Sequence, residues 1–178
     1  FFQGNCKMKD RNIEKIEDID SWRYEYPNLY KRVKNTLETY KILNIIGLEN
    51  VIGINGYVDG NAAFFAGAEY ISQRNQKSKS TTIGHLNMLA LLGLVIKLEE
   101  DCIPGLLSNR AKVEAKEKKH PTIINFFIIP TLTPELFKRA DEIALKAKEN
   151  NLSLNNIGYK QIEEVFGEEM LYVVYRGK

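Results

Sequence analysis

The sequence predicts an α+β protein that is predominantly helical, and three observations carry that prediction. Apolar residues recur at 3- and 4-residue steps over 29–46 and again after Pro134, the pattern of an amphipathic helix with one buried face. Two short runs rich in branched and aromatic residues, 94–98 and 122–129, read as strands. The composition, 44% hydrophobic and 27% charged over 178 residues, is that of a globular chain long enough to bury more than half of its unfolded surface without a disulfide or metal staple.

From the N-terminus, residues 1–7 read as the remnant of a protease-cleavable tag ending in Phe-Gln-Gly, with Met8 the expected native start and no secretory leader. Residues 8–28 form an N-terminal arm. Ile13, Ile16 and Ile19 recur among acids, and Trp22, Tyr24, Tyr26 and Tyr30 cluster around Pro27, a segment read as packing on the main body rather than as a base-stacking surface. Over 29–46, Val33, Leu37, Tyr40, Leu43 and Ile46 mark one helix, with Gly47 as its terminator. Asn61 is expected to cap a helix from Ala62 to about Gln73. After a polar interruption at 72–79, Ser80 or Thr81 caps a second helix whose inward stripe is Ile83, Leu86, Leu89, Ala90 and Leu92. Gly93 ends it and a strand follows. A basic helix is expected at 106–119, a buried strand at 122–129, and a helix from Thr133-Pro134-Glu135 to about Asn150. A further helix at 153–166, Gly167 and a strand at 170–175 complete the chain.

Helix, polar turn, capped helix, glycine, strand is the order of a helix-turn-helix with a wing. The residues that carry it are Lys79-Ser80-Thr81-Thr82-Ile83-Gly84-His85-Leu86-Asn87-Met88-Leu89 and Leu92-Gly93-Leu94-Val95-Ile96-Lys97. Over roughly residues 62–97 the chain resembles the bacterial winged-helix regulators of the multiple-antibiotic-resistance-regulator and arsenic-repressor kinds. The resemblance implies that 80–92 is a recognition helix and that the following strand leads into the wing. It places a winged-helix DNA-binding domain at 29–120 and a C-terminal α/β extension, for dimerisation or partner binding, at 121–178. The same order of elements recurs in the second half, so a second winged-helix-like unit is an alternative there, although Glu163, Glu164, Glu168 and Glu169 make it a poor surface for DNA.

The net charge is only +2, from 25 Lys and Arg against 23 Asp and Glu, so distribution decides the electrostatics. Between Tyr70 and Leu98 every charged residue is basic: Arg74, Lys77, Lys79 and Lys97 stand there without an acid. Arg74, Lys77 and Lys79 are the expected phosphate contacts, with Lys97 at the entry to the wing. Ser80, Thr81, Thr82, His85 and Asn87 complete the expected DNA-binding set, Thr81, Thr82, His85 and Asn87 nearest the bases. The expected partner is double-stranded DNA, bound by a cytoplasmic homodimer acting as a transcriptional regulator or as a replication or mobile-element accessory protein. The alternative is a winged-helix module that binds protein and not DNA.

Other classes find little support. The apolar runs fall far short of the roughly 20 residues a membrane span needs. Cys6 and Cys102 lie outside any zinc-ligand spacing, and His85 has only His120 as a companion, so no metal or other cofactor is expected. No phosphate loop, nucleophile elbow or HExxH is present, so no enzymatic activity is expected.

Overall fold

The computed structural model describes residues 12–53, 57–58, 61–98, 112–113, 116, 125–153 and 157–175. Residues 1–7 with Cys6, and Cys102, His120 and most of the basic helix expected at 106–119, lie outside the described residues, although 112–113 and 116 are helical. The helices are α1 (12–17), α2 (Trp22–Glu25), α3 (Pro27–Asn35), α4 (Leu37–Gly53), α5 (Ala68–Asn75), α6 (Lys79–Leu91), α7 (Pro134–Glu149), α8 (Tyr159–Phe166) and α9 (Glu168–Tyr175). The strands are β1 (Tyr57–Val58), β2 (Asn61–Phe65), β3 (Ile96–Leu98) and β4 (Phe126–Ile128). The predominantly helical α+β class is therefore observed.

The sheet is antiparallel in the order β1-β2-β4-β3. Strand β4 is its hub, pairing Ala63 with Ile128 on one side and Ile96 with Ile128 on the other. Within the run 122–129, Phe126–Ile128 is a buried strand between β2 and β3, with all three residues buried; 122–124 lie outside the described residues.

The N-terminal arm is tied down by side chains. Ile16, Ile19 and Trp22 are buried, and Asn12 accepts from the Leu132 N–H at 2.8 Å while donating to the Pro130 carbonyl at 2.9 Å. Phe137 of α7 meets Trp22 edge-on at 4.8 Å between centroids and Tyr26 face-to-face at 5.0 Å. The aromatic cluster therefore packs on the body, with Tyr24 left exposed.

Several local expectations give way to packing. The helix expected over 29–46 is two helices, broken at Thr36, whose hydroxyl bonds the carbonyls of Arg32 and Val33 and competes with the next turn. Gly47 does not stop α4, since without a positive φ it continues the helix. Asn61 caps no helix: 61–65 is β2, because pairing with β4 and burial of Ala63 and Phe64 outweigh local helix propensity. Residues 170–175 are helical and not a strand. Leu171 and Val174 are buried, three residues apart on one helix face, while Tyr172 and Val173 face out. Residues 170–175 thus do not supply the strand on which the alternative of a second winged-helix-like unit rested.

Other signals hold. Gly93, at φ 79°, follows α6 in a Schellman arrangement, with Gly93 N–H bonded to Ala90 O and Leu94 N–H to Leu89 O. Thr133 caps α7 by accepting from the Leu136 N–H at 3.2 Å. One buried cluster runs from Ile16 through Leu89 and Phe127 to Val174, joining the arm, the central helices and the C-terminal helices. No described helix is long and apolar enough to cross a membrane.

Candidate nucleic-acid interface

Helices α5 and α6 are joined by the three residues 76–78. Gln76 takes a left-handed conformation at φ 57°, which turns the chain sharply after α5. The N-cap of α6 is Ser78, whose Oγ accepts from the Thr81 N–H at 3.1 Å, and not Ser80 or Thr81 as the sequence suggests. The left-handed residue ends the turn early, so the helix begins as soon as a capping hydroxyl is available.

A buried polar network sets the angle between α4, α5 and α6. Asn75 Nδ2 donates to Thr39 Oγ1 at 3.0 Å and to Thr82 Oγ1 at 3.1 Å, and Asn75 Oδ1 accepts from the Lys77 N–H at 3.0 Å. Thr39 Oγ1 lies 2.7 Å from His85 Nδ1. Burial, and then the nearby charge of Lys77, push the imidazole below its ordinary pKa.

This network overturns part of the expected DNA-binding set. Thr82, His85 and Asn87 are buried and cannot reach bases, whereas Ile83, expected inside, is 41% exposed. The polar side of α6 faces inward because Thr39 and Asn75 supply partners there, and Asn87 is buried where α9 packs against α6. Lys97 donates to Asn87 Oδ1 and to the Val174 carbonyl, each at 2.7 Å, so its ammonium fastens the end of α9 and is not held out for phosphate. Arg74 grips Glu49 through both guanidinium nitrogens at 2.9 and 3.1 Å, which raises its pKa and spends much of its charge.

Lys77, Lys79, Ser80 and Thr81 remain exposed, side by side on the turn and the first turn of α6. The first turn of α6 carries no acid. Thr81 N–H is taken by the cap and Thr82 N–H bonds Ser78 O, which leaves the N–H groups of Lys79 and Ser80 directed along the helix axis with the positive end of its dipole. Ile83 adds an apolar contact beside them. Its exposure depends on which face of α6 the polar network claims, a choice signalled by the buried partners Thr39 on α4 and Asn75 at the end of α5. Comparison of the chain with protein-family models, curated proteins and solved structures finds no match.

Proposed function

We propose that this chain is a winged-helix protein that binds duplex DNA through the start of α6. The observation that carries the reading is the chain path: α4, β2, the α5–α6 pair, β3, a long connection and β4, with β4 paired between β2 and β3. A helix-turn-helix set between two strands, here β2 and β3, with a later strand paired between them is the arrangement in which the second helix enters the major groove. The exposed set fits the task. Lys77 and Lys79 neutralise phosphates, the unbonded N–H groups of Lys79 and Ser80 hold a phosphate oxygen, and Ser80, Thr81 and Ile83 face the base edges, the last suited to a thymine methyl. Thr82, His85 and Asn75 orient α6 without touching DNA. As a homodimer, the protein spans two half-sites roughly 34–36 Å apart.

The second reading, a protein-interaction module, is favoured by one observation: α9 covers the C-terminal half of α6, leaving only its first turns outside. Fluorescence anisotropy with random-sequence duplex at low and physiological salt separates the two. DNA binding predicts affinity that falls steeply with salt, and a Lys77→Glu/Lys79→Glu variant that keeps its fold but loses binding, with a salt slope smaller by about 2. Absence of binding at low salt refutes the DNA reading and leaves the protein-interaction module.

A further inference from the structure

Beyond the end of the arm, α3 and α7 lie against each other along a cleft of about 160 Å³ lined by Asn28, Lys31, Arg32, Asn35, Ala144 and Lys148. The α3 residues are spaced three and four apart, so they form one stripe beside the buried stripe of Leu29 and Val33. Ala144, fully buried on α7, leaves the space that a larger side chain would fill. The lining holds three cations and two primary amides, and no acid.

Arg32 is the telling member. Its guanidinium is partly buried, and among the described residues it has neither an acid nor a hydrogen-bond acceptor; desolvation alone acts on it and lowers its pKa. Arg74, by contrast, carries its own carboxylate. Arginine does not escape burial by losing its proton, so an unpaired, partly desolvated guanidinium is a standing cost that an incoming anion relieves. The neighbouring acid on α7, Asp141, is one turn from Ala144 but is engaged otherwise, its Oδ1 accepting from the Asn28 and Leu29 N–H groups at 3.0 and 2.9 Å.

We infer that this cleft is an anion site for a phosphate group, with Arg32 as its central ligand and Lys31, Lys148 and the amides of Asn28 and Asn35 around it. The donors are numerous and approach from two helices, which suits the several oxygens and double charge of a phosphate better than the two oxygens of one carboxylate. The site is separate from the first turn of α6 and does not depend on the DNA reading.

Isothermal titration calorimetry of the whole chain with inorganic phosphate, at ionic strength matched with sodium chloride, tests it. A nucleoside 5′-monophosphate in a second titration distinguishes a free phosphate from an esterified one, and binding of either supports the site. Saturable binding is expected, weakened about tenfold or more by Arg32→Met, as the loss of a charge-assisted contact implies. Lys148→Gln should weaken it less, and the tenfold difference made by Arg32→Met should persist in a Lys77→Glu/Lys79→Glu background. Arg32 and Lys148 stand in the last turns of their helices, where a cation also offsets the helix dipole. If that is their whole role, Arg32→Met lowers the melting temperature and neither phosphate binds, which overturns the inference. Equal phosphate binding by wild type and both cleft variants overturns it as well.

Discussion

Replacement of Asn75 by alanine tests the network that aims α6. The side chain is buried, donates to the Thr39 and Thr82 hydroxyls, and accepts from the Lys77 N–H. The Lys77 N–H keeps a weaker bond to Ser72 O at 3.3 Å, and Thr39 keeps His85, so neither is orphaned. Thr82, fully buried, loses its good partner. Of the three hydrogen bonds lost, that of the Lys77 N–H is replaced by Ser72 O; the two to hydroxyls, at about 1 kcal/mol each, and about 1 kcal/mol for the stranded Thr82 hydroxyl predict a destabilisation of about 3 kcal/mol. Urea unfolding followed by Trp22 fluorescence measures it, with an unchanged m-value showing that the same two states are compared. In a double-mutant cycle, Thr82→Val removes both its bond to Asn75 and the stranded hydroxyl, so Asn75→Ala should cost about 2 kcal/mol less in that background. A loss below about 0.5 kcal/mol, or strict additivity of the two changes, would refute the network as the element that fixes α5 against α6. Arg74→Met serves as the contrast: its pair with Glu49 is exposed enough that the loss stays below about 1 kcal/mol and shrinks in salt.

Further outcomes follow from single contacts. His85, held neutral with a depressed pKa, binds a proton more readily unfolded than folded; stability is therefore complete above the unfolded value of 6.5 and falls as pH drops below it. The urea midpoint of His85→Gln should lose that dependence between pH 6.5 and 5.5, and a wild-type midpoint that rises with acid refutes the assignment. Lys97→Met should speed amide exchange in α9 without weakening DNA binding, whereas a phosphate contact at Lys97 would show as a drop in affinity. Phe137→Ala removes the ring between Trp22 and Tyr26 and should cost about 3–5 kcal/mol in thermal or urea unfolding, a loss below about 1 kcal/mol showing that the arm is not anchored there.

How much of this was legible depends on whether the signal was local. Thr133-Pro134-Glu135 starts α7 because a capping hydroxyl and a residue without an N–H satisfy the first turn wherever they occur. Leu92-Gly93-Leu94 stops α6 because only glycine takes the left-handed position cheaply. The acid-free stretch between Tyr70 and Leu98 likewise located the candidate interface, and four of its expected contacts, Lys77, Lys79, Ser80 and Thr81, are exposed together.

The rest turned on partners distant in sequence. Asn61-Ala-Ala-Phe-Phe is a strand because β4, more than sixty residues on, offers an edge to pair with. Residues 170–175 alternate too weakly to choose between strand and helix, and the choice fell to helix because α6 and α8 offer an apolar surface for Leu171 and Val174. The facing of α6 was undecidable from its own residues, since it carries apolar side chains on nearly every side. By itself, then, the sequence determined where α7 begins and where α6 ends, that the class is α+β, and where a stretch without acids lies, because caps, glycines and charge act over a few residues. Which of those charges stay free, and which polar groups of α6 point inward, was decided by Thr39, Asn75, Glu49 and α9 arriving from elsewhere in the chain, because a buried hydrogen bond or ion pair exists only when both partners are brought together.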